Sequence, residues 1–171
     1  MPLYFLLFST WGYKTMLISK KELQIVSEFR KNARENLTTA SRKLRIPVST
    51  LYDRLRRYQG NLILKHTALL DFERLGFSIR VIMTFKAKNK TRDELQAFLE
   101  HHHRVNSIYR ISNNSDFMVE VLFKDMKEVN EFAEKLEDFD VENKQEYYIV
   151  KDVKREAFLT NQEAIDVIAD E

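Results

Sequence analysis

The stretch IPVSTLYDRLRRY, residues 46–58, decides the fold of this chain. Pro47 breaks whatever precedes it, and Ser49 reads as the N-cap of a helix, its hydroxyl placed to accept from an unpaired backbone N–H. Leu51, Leu55 and Tyr58 then recur at i, i+4 and i+7, one face of that helix. At about 100° per residue, Ser49, Asp53, Arg56 and Arg57 point the opposite way, with Tyr52 and Arg54 on the flanks. An apolar back with a front of arginine, hydroxyl and tyrosine suits entry into a DNA major groove, but it equally describes a solvated surface helix. The neighbouring sequence decides between the two.

Upstream, the spacing predicts a helix over 19–31, where Leu23, Val26 and Phe29 repeat with Ile25 beside them. After NARENLTT a second helix is expected over about 38–44, with Leu37, Ala40 and Leu44 inward and Arg42, Lys43 and Arg45 at its exposed end. Three helices, the last two joined by a tight turn, make a helix-turn-helix. Downstream, Gln59-Gly60-Asn61 ends the third helix. Residues 62–64 and 67–70 read as a short hairpin, the wing of a winged helix, and 71–77 as a linker stopped by Gly76.

From Ser78 the period changes to two. Ile79, Val81, Met83, Phe85 and Ala87 alternate with polar residues as a half-buried strand. A helix over 92–102, strands over 105–112 and 117–123 joined at Asn113-Asn114-Ser115, a helix from Met126 to about Leu136 and a strand over 146–153 follow. The order is β-α-β-β-α-β, the ferredoxin-like split βαβ. The fold class expected is therefore α+β: an N-terminal winged helix-turn-helix over 17–66, wing end and linker over 67–77, a ferredoxin-like domain over 78–154 and a tail over 155–171 that forms a short helix or frays. One sheet face lies under the helices. Tyr109, Tyr147 and Tyr148 cannot all lie there, so a second copy is expected on the other face, making a homodimer.

Composition agrees with two jobs. Residues 17–66 hold 12 lysines and arginines against 4 acids, a net of +8, whereas residues 67–171 hold 15 against 22, a net of −7. The basic part faces a polyanion; the acidic part faces something else. The 171 residues contain no cysteine, which excludes disulfides and thiolate metal sites and fits a reducing, cytoplasmic location. Three glycines leave no glycine-rich phosphate loop. Residues 1–16 (MPLYFLLFSTWGYKTM) are apolar, yet far short of the ~20 residues that span a bilayer, and match a secretory signal poorly. They read as an extension packing on a partner or, in the favoured reading, as sequence upstream of a start at Met16. They are left out of the fold.

Enzyme chemistry finds no footing. His101-His102-His103 is the one eye-catching cluster, but consecutive helical residues point ~100° apart and do not converge on a metal. No catalytic residue, metal site or cofactor is assigned.

Taken together, NARENLTTASRKLRIPVSTLYDRLRRY, HTALLDFERLGF and YRISNNSDFMVEVLFKD resemble the Lrp/AsnC, or feast/famine, family of transcription regulators, with IPVSTLYDRLRR most similar to archaeal members. The resemblance spans residues 19–153. It implies DNA-binding dimers joined through the ferredoxin-like (RAM) domain, often assembled into octamers, and in many members an amino-acid effector. The effector turn of the family carries Gly, an acid, an aromatic and Asp; here it reads Asn113, Asn114, Ser115 and Asp116, with the Asp alone kept.

On this reading Ser49, Thr50, Tyr52, Asp53 and Arg56 face base edges or the groove floor. Arg42, Lys43, Arg45, Arg54 and Arg57 mostly meet phosphates. Asp53 either accepts from a cytosine amine or pairs with a neighbouring arginine, the latter favoured. The partners expected are double-stranded DNA and further copies of the chain. Two rivals remain: an architectural DNA binder without sequence preference, and a ligand sensor that does not bind DNA.

Overall fold

A computed structural model describes residues 18–169, which fall into two units. The first comprises described residues up to 68 together with 156–169; the second runs from Leu69 to Arg155.

The helix unit begins with α1, Lys20–Lys31, opened by a capping box: the Ser19 hydroxyl accepts from Glu22 N and the Glu22 carboxylate accepts from Ser19 N at 3.0 Å. In α2, Leu37–Leu44, Asn36 Oδ1 accepts from Thr38 N at 2.8 Å. That helix ends at Arg45, whose φ of 53° is left-handed. Ile46 N then donates to Ser41 O, and the Ser41 hydroxyl donates to Ile46 O at 2.5 Å. This closes the turn into α3, Val48–Tyr58. Pro47, not Ser49, is the N-cap of α3, and no side chain caps it. Proline at that place pre-sets φ, and its carbonyl accepts from Leu51 N at 2.9 Å, so the helix starts one residue before the expected cap.

Ile25, Phe29, Ala40, Ile46, Leu51 and Tyr58 form the core of the three helices, with Leu37, Leu44, Leu55, Leu62 and Ile63 packed against it. The hairpin wing expected over 62–70 is not formed. Gln59 and Ile63 make a single bridge around Gly60 at φ +74°, and residues 64–71 carry no regular structure, with Leu64 84% exposed. Adjacent Leu62 and Ile63 both pack on the core, which removes the alternation a strand needs, and two isolated strands are marginal in water. The tail is helical: α6, Gln162–Ala169, packs on α1.

The second unit is a four-stranded antiparallel sheet in the order β2-β3-β1-β4, built from β1 (Ile79–Ala87), β2 (Val105–Arg110), β3 (Phe117–Phe123) and β4 (Val141–Tyr148). Val81, Met83, Phe85 and Ala87 alternate inward, and so do Phe117, Val119, Val121 and Phe123. They meet Leu95 and Leu99 of α4 (Arg92–His101) and Val129, Phe132 and Leu136 of α5 (Met126–Glu137), so both helices cover one face. This is the ferredoxin-like topology, in the expected element order.

The last strand is not at 146–153 but starts five residues earlier, at Val141. Its run Glu142-Asn143-Lys144-Gln145 shows no alternation because β4 is an edge strand, and it bulges: Thr84 faces Gln145 while Lys86 faces Glu142, with Asn143 at φ 52°. Tyr148 pairs with Val81 and so shares the helix-covered side, yet it is 45% exposed at that edge. Tyr147 opposite Ile82, and Tyr109 opposite Met118, lie on the open face, as expected for tyrosines that cannot sit under the helices.

No helix among the described residues is long and apolar enough to cross a membrane. The segment 1–16 lies outside the described residues.

Candidate nucleic-acid interface

Helix α3 divides as its periodicity requires. Leu51 and Tyr58 are buried and Leu55 is half-buried, whereas Ser49, Tyr52, Asp53, Arg56 and Arg57 are exposed. Thr50 and Arg54 sit between, half-buried. The helix is anchored at its far end: the Tyr58 hydroxyl donates to Glu22 Oε1 at 3.1 Å. Hydrogen bonds from Ser19, backbone first and hydroxyl second, hold the Glu22 carboxyl below its ordinary pKa, with Tyr58 and the nearby Arg54 charge adding to them. Burial, and then the Glu22 carboxylate, raises the Tyr58 phenol. One acid thus ties the start of α1 to the end of α3. It carries no mark in sequence, because a capping-box Glu explains itself locally.

The cations separate into two groups. Among the described residues Arg42, Arg45, Arg56 and Arg57 make no ion pair or side-chain hydrogen bond, and their exposed guanidinium groups are available to an anion. Lys43 does not join them. Its Nζ lies 2.5 Å from Glu28 Oε1 and 3.1 Å from Glu35 Oε2, and these bonds raise its pKa. It is a tie between α2 and the α1 side of the unit. Lys21, which the sequence did not single out, donates to Leu44 O at 2.5 Å and satisfies a carbonyl at the end of α2. Asp53 also differs from expectation: the intrahelical ion pair is not formed, and its carboxylate stands exposed between the arginines, with no partner among the described residues. Beside this front, Phe29, Leu37, Leu55, Tyr52, Arg56 and His66 line part of an open groove of about 430 Å³.

In the second unit the turn between β2 and β3 splits by role. Asn113 and Asn114 take φ of 71° and 67°, and both are exposed. Asp116 turns inward: its Oδ2 accepts from Ala87 N at 3.0 Å and from Arg92 Nη2 at 3.4 Å, and its own N–H donates to Phe85 O. Its carboxylate therefore fastens the end of β1 and the start of α4. Asn113, Asn114 and Ser115 make no side-chain hydrogen bond among the described residues.

The three histidines do not form one cluster, because His101 turns back onto its own helix. His101 Nδ1 lies 2.7 Å from Ala97 O, whereas His102 packs edge-on to Phe132, stacks on His103 at 4.9 Å and accepts from Arg104 N at 3.3 Å. Burial lowers the His102 pKa, helped by His103, Lys135 and Arg104.

Residues 80–157 match the family model described as the Lrp/AsnC ligand binding domain. The helix-turn-helix before it and the split βαβ sheet within it complete that architecture. The second unit is an Lrp/AsnC ligand binding domain. Among curated relatives, an uncharacterised HTH-type transcriptional regulator of Pyrococcus abyssi is 23% identical over 83% of this chain and 97% of its own length. The HTH-type transcriptional regulator LrpC of Bacillus subtilis is 21% identical over 70% of this chain and 84% of its own. In solved structures, the same fold appears in B. subtilis LrpC, with a TM-score of 0.71, 18% identity and coverage of 78% of this chain and 95% of that one. It appears also in a Neisseria meningitidis transcriptional regulator in complex with L-Met, with a TM-score of 0.74, 18% identity and coverage of 80% and 92%. The named relatives LrpC and FL11 are HTH-type transcriptional regulators.

Proposed function

We propose that this Lrp/AsnC regulator reads double-stranded DNA through the exposed front of α3, as a homodimer or higher oligomer acting in the cytoplasm. One observation carries the reading: the second helix of the helix-turn-helix presents Arg56, Arg57 and Asp53 with no partner among the described residues, next to equally unpaired Arg42 and Arg45. Arg56, Tyr52, Ser49, Thr50 and Asp53 are assigned to the groove, where a forked guanidinium on guanine contributes about 1–3 kcal/mol of discrimination. With no arginine to hold, Asp53 is free to accept from a cytosine amine. Arg42, Arg45, Arg54 and Arg57 are assigned to phosphates, and Lys43 is withdrawn from that set.

The open sheet face, with Ile82, Met118, Leu122, Tyr109 and Tyr147, supports pairing with a second copy. Two reading helices would then face half-sites about 34 Å apart or a multiple of that, so the operator is a rough palindrome. An amino acid is the effector we assign, held near Asn113, Asn114 and Ser115. The match of residues 80–157 to a ligand binding domain supports it, as does the L-Met complex of the Neisseria relative.

Selection of bound duplex from a random pool, with and without a mixture of amino acids, tests all of this. The expected result is an enriched palindrome whose recovery changes with the mixture. Binding without enrichment would make the protein an architectural binder, and no binding at low salt would end the DNA reading.

A further inference from the structure

The family match ends at residue 157, yet the residues that follow fold as part of the helix unit. Leu159, at a left-handed φ of 58°, and Ile165 are buried against Leu23 of α1, with Ile18, Val26, Ile168 and Ala169 around them. Arg30 grips the incoming segment: its Nε donates to Phe158 O at 2.6 Å and its Nη2 meets Glu156 Oε2 at 2.7 Å. At the other end of α1, Lys20 pairs with Asp166 at 2.8 Å. α6 has its own start signal, since Asn161 Oδ1 accepts from Ala164 N at 2.9 Å. An apolar seam with an ion pair at each end and a capped helix is a docked element.

The element it docks on matters. α1 has two apolar faces: Leu23 lies in the seam with the tail, while Ile25 and Phe29 lie in the core with Leu51 and Tyr58 of the reading helix. Glu22 of α1 receives the Tyr58 hydroxyl, and Glu28 holds Lys43 of α2. Whatever orders α1 therefore orders the seat of α3. Among the described residues the buried part of the seam is three side chains, and its ion pairs are exposed ones of the kind that contribute little each. An element held so lightly opens locally before the unit unfolds.

We propose that residues 156–169 are a strap whose docking on α1 sets the affinity of the helix-turn-helix for DNA: docked, it completes the unit; released, it leaves α1 and the seat of α3 loose. The consequence for DNA rests on the proposed function, whereas the docking itself does not. The chain leaves the helix unit after residue 68 and re-enters it at 156, so the strap is also the second covalent connector between the units. It is a place where events in the ligand-binding domain can act on DNA affinity.

The test compares the full chain with a chain ended after Arg155 and with full-length Ile165→Asp and Ile165→Leu. Hydrogen–deuterium exchange over residues 20–31 is read first. Affinity for the selected duplex at two salt concentrations is read second. In the truncated chain and in I165D, α1 exchanges at least about tenfold faster, and affinity falls by roughly tenfold with the slope against log salt unchanged, because the strap supplies no phosphate contact. I165L, which keeps the apolar seam, behaves as the full chain does. Unchanged α1 exchange overturns the proposal. Faster exchange with unchanged affinity overturns its link to DNA, and a smaller salt slope would place the strap on the DNA itself and overturn it equally. If the truncated chain loses its helical circular dichroism, I165D alone decides. A full chain that binds no duplex points to failure of the DNA-reading function, while the exchange comparison still decides whether the strap docks.

Discussion

Arg56 and Lys43 are both exposed cations of the helix-turn-helix, and the structure gives them opposite roles. Arg56 has no ion-pair or hydrogen-bond partner among the described residues, so Arg56→Ala should leave folding intact and flatten the preference among operator variants by about 1–3 kcal/mol at the base it reads, measured by competition anisotropy. Lys43 is held by Glu28 and Glu35. Lys43→Ala should lower the melting temperature of the helix unit and leave the salt slope of DNA binding unchanged; a slope reduced by about one would return Lys43 to the phosphates. His102 supplies a pH dependence. Burial first, then the neighbouring His103, Lys135 and Arg104, lower its folded pKa, so on acidification the unfolded chain takes up its proton first. The stability that neutral His102 contributes is present above about pH 6.5, its unfolded value, and is lost as pH falls through its lowered folded value. Melting curves between pH 7.5 and 5 check this, and His102→Gln should flatten that part of the profile.

Among the elements, α1 and β4 best show how local pattern and packing differ. Leu23, Val26 and Phe29 repeat at three-residue spacing as if they shared one face. In the fold Leu23 belongs to the seam with α6, Phe29 to the core with α3, and Val26 touches both. The wide apolar arc was in the sequence, and a stripe wider than one partner needs is a signal for a second one. β4 carried no such signal. An edge strand with a bulge has no strict alternation, and the tyrosines beyond it mimic a strand of their own. Asp116 belongs at this scale too. Asp116→Ala unpairs Arg92 and leaves Ala87 N–H without its acceptor, which should cost about 1–3 kcal/mol in denaturant melts, whatever ligand the domain takes.

For the whole molecule, the open sheet face governs assembly. Ile82 lies between Glu120 and Tyr147 on that face, opposite the side that buries its neighbours Val81 and Met83. Ile82→Asp should leave the fold of one copy intact and shift the oligomer toward monomer in light scattering, with loss of affinity for a palindrome and less for a single half-site. An unchanged mass would move the interface elsewhere.

The alternations and three-residue repeats of this chain determined its element order, the fold of the second unit and the front and back of α3. Those follow from local periodicity, which one strand or one helix expresses alone. Tertiary structure alone decided that Lys43 is a tie, that Asp53 stands unpaired, that Asp116 faces inward, that no hairpin wing forms, and that the tail completes the helix unit. Each of these depends on which distant group occupies the neighbouring space. A pairing such as Arg30 with Glu156 joins residues far apart along the chain and is invisible to any window read along it.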